Sequence, residues 1–285
     1  MKVTVIKALE MPLDEPVNSY VIRDLGIMVD AGIDPPDDGY DYVYITHWHW
    51  DHVMGIYKLK GKTICMGPTT YDILQNRKFA ERFNTVLRAG GIQLSDVERA
   101  FISEMESRYK KALEGLKHNH VYTLDECPHV ETGEVTPLEC PGHSIDHVCY
   151  FIGDYVFTGD TILPSKRTTI IDFRAHRESV ISVLARDWRI MYPGHGDLLN
   201  RYAAEEVARA YVVNRCSRAY RVLGELARSG GELGIDELLR SIYGVEPSLA
   251  SFVALRTLIG YIKELEDEGI VSVDRSASPW KVKLL

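Results

Sequence analysis

The sequence predicts an α+β chain in two parts. A strand-rich unit covers residues 1–204 and is interrupted by helices at about 69–120; a mostly helical unit covers 205–285. Three observations predict this. Short runs of β-branched and aromatic residues, separated by Gly, Pro and Asp, fill roughly the first 65 residues and return after residue 135. Between them, from Tyr71 to about Leu116, the apolar spacing becomes helical. After His195 come three helical stretches and two alternating ones, the order of a winged-helix domain.

Taken in order, Val3–Ile6, Tyr20–Arg23, Ile27–Val29 and Tyr42–Ile45 read as strands. Ser95-Asp-Val-Glu98 has the spacing of a capping box, with Glu98 placed to reach back to the cap amide. Val97, Phe101, Met105, Ala112, Leu113 and Leu116 then share one helical face, which is expected to be buried. Strands resume at Val135–Glu139 and Val148–Ile152, and Gly153-Asp154 turns into Tyr155–Thr158. A helix is expected at Ala175–Ala185 and a strand at Arg189–Tyr192. The last part reads as helices at Ala203–Arg228, Ile235–Tyr243 and Leu249–Glu268, each stopped by glycine, then strands at Ile270–Val273 and Trp280–Leu284.

The net charge of −8 argues against bulk attraction to nucleic acid, so any such partner needs a local basic patch. The five cysteines (Cys65, Cys127, Cys140, Cys149, Cys216) form no C-x-x-C pair and are odd in number. They are expected to be reduced thiols in a cytoplasmic protein. Lys7 and Glu10 break the N-terminal apolar stretch before a signal-peptide core can form. No run of about 18 apolar residues exists, so no membrane span is expected.

The chemistry concentrates in Ile45-Thr-His47-Trp-His49-Trp-Asp51-His52. In an extended backbone side-chain direction repeats every two residues, so His47 and His49 project the same way. Asp51 and His52 lie one step on, where the chain turns into a helix, and can aim at a second point. The set suits two cations side by side better than one. Imidazole and carboxylate together suit zinc, and also iron or manganese. A lone histidine at a strand end usually packs; three with an aspartate need something to bind.

This H-x-H-x-D-H after an apolar strand resembles the signature of the metallo-β-lactamase superfamily. Val29-Asp30-Ala-Gly32 resembles the family's first motif, Cys140-Pro-Gly-His143-Ser its third, Phe157-Thr-Gly-Asp160-Thr its fourth and Tyr192-Pro-Gly-His195-Gly its last. The resemblance implies an αββα four-layer sandwich with a helical insertion and a C-terminal winged-helix domain. It implies that His47, His49 and His143 hold one metal, that Asp51, His52 and His195 hold the other, and that Asp160 bridges them, with Asp30 structural beneath. Two zinc ions about 3.5–4 Å apart would then share a hydroxide that attacks an ester, thioester or phosphodiester, with Asp51 orienting it. His147 resembles a supporting position that bonds a ligand or the substrate. Asp146 departs from the commoner glycine of that motif. His118, His120, His129 and His176 lack ligand spacing and are expected on the surface or a lid; Trp48 and Trp50 are expected to pack as core or rim.

Several features bear on the substrate. The C-terminal part is similar to that of a lactamase-like group that includes a mitochondrial endoribonuclease, through Asn214-Arg215, the Leu258–Leu265 stretch and Trp280-Lys281. Single-stranded RNA is therefore one expected substrate; a small-molecule ester or thioester, as in the glyoxalase-II-like branch, is another. Mononuclear iron dioxygenase chemistry is the third reading. Residues 201–285 carry 12 basic and 12 acidic side chains, and the stretch 249–268 offers only Arg256 and Lys263 as positives. Sequence-specific DNA binding by that helix is not expected. It is expected to pack on the catalytic part or to support a homodimer. The insertion holds nine basic residues (Arg77, Lys78, Arg82, Arg88, Arg99, Arg108, Lys110, Lys111, Lys117) against seven acidic ones, a slight bias toward anionic substrates that solvated helix faces also give.

Overall fold

The computed structural model describes residues 1–7, 16–76, 78–165 and 168–285, and of residues 78–82 the backbone. Arg77 and the side chains of Lys78 and Arg82, counted above in the basic insertion, lie outside the described residues. Among the described residues two sheets face each other. In the first, β1 (Val3–Lys7), β2 (Asn18–Ile22), β3 (Ile27–Val29), β4 (Tyr42–Ile45), β5 (Thr63–Met66) and β6 (His120–Thr123) lie in that spatial order. It is antiparallel from β1 to β3 and parallel from β3 to β6. The second comprises β7 (Thr136–Glu139), β8 (Val148–Ile152), β9 (Tyr155–Gly159), β10 (Ile190–Pro193) and β11 (Leu199–Asn200), ordered β11-β10-β9-β8-β7, with β9 and β10 parallel.

The period-2 alternation of a strand sorts these residues into layers. Tyr20, Ile22, Ile27, Val29 and Tyr44 of the first sheet meet Tyr150, Ile152, Phe157 and Tyr192 of the second in one core. Their alternates Val21, Met28, Val43 and Ile45 face outward onto Ile73 and Leu74 of α2 (Pro68–Gln75) and Tyr109, Ala112 and Leu116 of α4 (Asp96–Leu116). Here α1 denotes Trp50–Val53 and α3 Lys78–Ala89. On the far side, Cys149, Phe151, Val156 and Met191 pack on Val180 and Val183 of α6 (Phe173–Leu184) and on Ala204, Val207 and Tyr211 of α7 (Arg201–Arg228), α5 being Pro128–Glu131. Helix, sheet, sheet, helix is the layer order, and burial on both faces is why the central strands read as continuous apolar runs.

The Ser95 capping box forms as expected, but the apolar face of α4 is only half used. Val97 is 79% exposed and Phe101 40%, because the helix docks by its C-terminal half, where Gly115 lies against the backbone of Ile56 and Tyr57. The cysteine expectation is corrected: Cys65 and Cys127 form a disulfide, and Cys140, Cys149 and Cys216 are free. The partners stand 62 residues apart and flank the helical insertion; β5 carries Cys65, and Cys127 follows β6, which pairs with β5. Cysteine usage therefore carries no argument about compartment. No helix among the described residues is long and apolar enough to cross a membrane.

Beyond α7 follow β12 (Glu232–Gly234), α8 (Ile235–Tyr243), α9 (Phe252–Asp267), β13 (Val271–Asp274) and β14 (Lys281–Leu284), the strands forming a sheet in the order β12-β14-β13. The short β12 has no counterpart in the sequence reading. Val222 and Leu226 of α7 join Leu238, Leu255, Leu258, Trp280 and Val282 in a separate core, so α7 runs through both parts and contains residue 205. The outer face of α9 is not exposed: a Cβ on Gly260 would meet the Ile170 carbonyl at 2.4 Å, Tyr261 stacks on Phe173 at 4.3 Å, and Lys263 Nζ lies 3.0 Å from Asp172 Oδ2. Phe252 stacks on Phe83 of α3 at 4.6 Å. Insertion and C-terminal part thus close over the same edge of the sandwich.

Candidate metal centre

That edge holds the carboxyl ends of β4, β9 and β10, where loops leaving parallel strands converge. Thr46 to His49 leave β4 extended, and Asp51 and His52 sit in the first turn of α1. His143 comes from the β7–β8 loop, Asp160 from just past β9, and His195 from just past β10. Two bonds clamp the sheets here: Val148 N–H donates to the Thr46 carbonyl (2.8 Å) and Asn18 N–H to the Gly194 carbonyl (2.7 Å).

All seven motif residues meet, in two adjoining groups. His47, His49, His143 and Asp160 bring donor atoms within 4.8 Å of one another, as do Asp51, His52 and His195. His49 Nδ1 lies 2.9 Å from His47 Nε2 and 2.8 Å from His143 Nε2. Asp160 spans the groups: its Oδ2 is 3.4 Å from His143 Nε2, and its Oδ1 is 3.4 Å from His52 Nε2 and 3.5 Å from His195 Nε2. Asp51 Oδ2 is 3.2 Å from His195 Nε2. A Cβ on Gly194 would stand 2.2 Å from Asp160 Oδ1, so only glycine permits this approach.

The surroundings fix which nitrogens carry lone pairs. Asp30 is the one non-glycine residue with positive φ (58°) among the described residues, a conformation that aspartate tolerates. Its carboxylate accepts the Thr46 N–H (2.8 Å), the Thr46 hydroxyl (2.9 Å) and His52 Nδ1–H (2.8 Å). With its proton committed to Asp30, the Thr46 hydroxyl accepts His47 Nδ1–H at 3.0 Å. His143 Nδ1 faces the Thr169 carbonyl at 2.8 Å, a pure acceptor, and so donates. The Nε2 atoms of His47 and His143 therefore turn lone pairs into the site, and Nε2 of His52 can offer one on giving up its proton. His52 Nε2 and Asp160 Oδ1 are buried without a hydrogen bond of acceptable geometry. Buried polar atoms left without a partner in this way are met by a divalent cation, so the residues present fit metal.

Electrostatics separate the groups. Burial first, then neighbouring imidazoles, hold His47 and His49 well below the usual histidine range, and burial brings His143 down to about 4. His52 and His195 go the other way despite burial: Asp30, Asp51 and Asp160 raise His52 well above the usual range, and Asp160 and Asp51 push His195 up to about 12. Burial opposes ionisation of Asp160, but His195 and His52 win and hold its carboxyl well below the carboxylate range.

His147 is turned inward onto Asp160 and His47: the Asp160 N–H donates to its Nε2 (3.0 Å), and its ring stacks on that of His47 at 4.7 Å. Asp146 ties the loop to the motif strand by accepting the Trp48 N–H (2.9 Å) and the Thr70 hydroxyl (2.8 Å), a job glycine cannot do. Trp48 is buried and Trp50 half-buried; His118 and His120 are exposed and His129 is half-buried against Tyr42. His176 corrects the surface expectation: it is buried, with Nε2 2.8 Å from the Thr161 carbonyl, because α6 turns it inward. Sequence reasoning missed Arg256 as a site residue. From α9 its Nη2 reaches within 3.2 Å of His49 Nε2, across 207 positions with no local signal.

Comparison with known proteins agrees with this geometry. The Beta-lactamase-like protein 2 homolog of Drosophila melanogaster is 25% identical over 239 residues, 83% of this chain and 72% of the fly protein. The Atrochrysone carboxyl ACP thioesterase of Aspergillus chevalieri is 28% identical over 134 residues, 44% of this chain and 43% of that protein. The chain spans about half the length, or less, of several fungal relatives. A metallo-beta-lactamase family protein of Thermus thermophilus superposes with a TM-score of 0.73 over 99% of this chain and 98% of its own, at 16% identity, a likeness of fold. The family model described as Metallo-beta-lactamase superfamily matches residues 13–195, more than half of the chain, and the chain belongs to that superfamily.

Proposed function

We propose that the protein is a dinuclear metal-dependent hydrolase of small-molecule thioesters or esters. The observation that carries this reading is the pair of adjoining donor groups joined by Asp160. His47, His49 and His143 would hold one divalent cation, Asp51, His52 and His195 the other, and Asp160 both, with zinc the best match to imidazole and carboxylate. Bound there, the cations would supply Lewis acidity toward an acyl oxygen and lower the pKa of water.

The chain's own groups do the rest. Asp30 and Thr46 lock the rings of His52 and His47; the Thr169 carbonyl locks His143. His147 holds Asp160 through its backbone amide. Asp51 would orient the attacking water as well as hold a cation. In the net reaction the water oxygen joins the acyl carbon, the carbon–sulfur or carbon–oxygen bond breaks, and the leaving group takes up a proton.

Residues 1–204 form the catalytic unit in this reading and 205–285 a winged-helix-like unit, meeting within α7. The order helix, strand, helix, helix, strand, strand supports that assignment. The packing of α9 on Ile170, Phe173 and Asp172 speaks against α9 reading a nucleic-acid groove, and the relationship to a fungal thioesterase favours acyl substrates over RNA. The test is a panel of an acyl thioester, a p-nitrophenyl ester, a lactone and single-stranded RNA, assayed with the metal-loaded protein, the chelated protein and His49→Ala. Acyl hydrolysis lost on chelation and in His49→Ala is expected; RNA cleavage without acyl hydrolysis overturns the reading.

A further inference from the structure

We infer that Gly260 of α9 is a positioning residue of the metal centre: it lets the segment 168–173 lie against the helix, and that segment sets the hydrogen bonds of His143 and Asp160. The C-terminal part then completes a centre whose metal-holding residues all come from the sandwich. The inference rests on the metal-dependent hydrolase reading above and deepens it. Toward the centre, the Thr168 hydroxyl donates to the Asp160 carbonyl. Its proton so committed, its oxygen stands 2.9 Å from His143 Nδ1, a second acceptor beside the Thr169 carbonyl at 2.8 Å. The Ile171 and Asp172 N–H groups both donate to the carbonyl of Gly142, one residue before His143, at 2.8 and 3.1 Å. Toward α9, Ile170 and Phe173 are buried with Tyr261 in a small apolar cluster of their own. Asp172 caps α6 with Oδ1, which accepts the Ala175 N–H at 2.9 Å, and turns Oδ2 to Lys263 Nζ at 3.0 Å.

Glycine is a poorer helix former than alanine, and Gly260 stands in the middle of α9. A methyl there would lie 2.4 Å from the Ile170 carbonyl oxygen and 3.0 Å from Phe173 Cε2. A Cβ does not approach other atoms within 3.0 Å, so one side must give by about 0.6 Å or more. The helix is held, because Leu255, Leu258 and Ile262 on its other side are buried in the C-terminal core. The segment therefore moves, and Ile170 takes with it the Thr169 carbonyl before it and the Ile171 N–H after it. A bond of 2.8 Å is already near its best length, so a shift of that size weakens it in any direction. The His143 ring then loses what fixes its tautomer and its aim, as supporting bonds to a ligand histidine do.

The experiment reads the ring N–H signals of His143 and His52 by NMR of the full chain carrying isotope-labelled histidine, in wild type, Gly260→Ala, Lys263→Met and Lys263→Arg. Chelator competition, in a His195→Ala background, gives the zinc affinity of the first group in each. In Gly260→Ala the His143 ring N–H is expected to shift and to exchange faster with water, while that of His52, held by Asp30, stays. Zinc affinity falls by about 10- to 100-fold, the range for a lost supporting bond. Lys263→Met, which releases Asp172, gives the same pattern at up to about 5-fold, the range for a half-exposed ion pair, and Lys263→Arg restores the wild-type values. Unchanged signals and affinity in both Gly260→Ala and Lys263→Met overturn the inference and leave the hydrolase reading intact. Equal shifts of His143 and His52 also overturn it, since α9 would then stabilise the fold without setting one ring. Wild type that binds no zinc overturns the hydrolase reading, and the His143 signal of the metal-free chain still decides whether α9 sets its bond. If Gly260→Ala fails to fold, the two Lys263 variants carry the comparison.

Discussion

Replacing Asp30, which touches no substrate and is not among the metal-holding groups, is expected to damage the centre more than its position suggests. Its buried carboxylate is the shared acceptor for the Thr46 N–H, the Thr46 hydroxyl and His52 Nδ1–H, all within 2.8–2.9 Å. Asp30→Ala strands two buried donors that cannot turn elsewhere, the Thr46 amide and the His52 ring N–H; at about 1–3 kcal/mol each, the loss of stability is about 2–6 kcal/mol. The His52 ring also loses what fixes its tautomer, and supporting bonds of this kind are worth about 10- to 100-fold in metal affinity. Asp30→Asn separates the effects. The amide oxygen can still accept from Thr46, so stability falls less, but its NH₂ meets the His52 Nδ1–H donor and metal affinity falls almost as far as in Asp30→Ala. Thermal unfolding of the metal-free protein and chelator competition with the loaded protein measure the two quantities. Wild-type metal affinity in Asp30→Asn would refute the reasoning, because the hydrogen bond to His52 would then do nothing for the cation.

Three further outcomes are expected. Gly194→Ala drives a methyl to 2.2 Å from Asp160 Oδ1 and 2.9 Å from His52 Cε1, costing about 1–3 kcal/mol in overpacking and weakening metal retention; an unchanged melting temperature and chelator resistance would contradict it. His52 and His195 are held protonated by Asp30, Asp51 and Asp160 in the metal-free chain, so cations compete with those protons. Affinity at the second group should rise with pH, and loading at about pH 8 should release protons, measurable with an indicator dye; no release would contradict it. A thiol titration of the unfolded, unreduced protein should count three cysteines, five after reduction, and Cys127→Ser should cost up to about 4 kcal/mol for opening so long a loop.

The sequence made some features legible and hid others for physical reasons. His47, His49, Asp51 and His52 stand within six positions, so their convergence follows from backbone periodicity alone. His143, Asp160 and His195 could be reached only through resemblance, since nothing local says that three loops of the second sheet meet the loop that leaves β4 of the first. The strands were legible as runs of β-branched and aromatic residues between turn residues, whereas their stacking into four layers came only with the resemblance. Periodicity overstated the burial of α4, since it gives a face but not the length of the surface it lands on; Val97 and Phe101 overhang. The Cys65–Cys127 bond, buried His176 and the reach of Arg256 are contacts between distant segments, set by docking rather than by spacing.

Counting ions is the most direct measurement. Native mass spectrometry of the metal-loaded protein should find two divalent cations per chain, falling to one in His195→Ala and lower still in Asp160→Ala, which removes the carboxylate shared by both groups. A single ion in the wild type, or two ions retained in Asp160→Ala, would contradict the account.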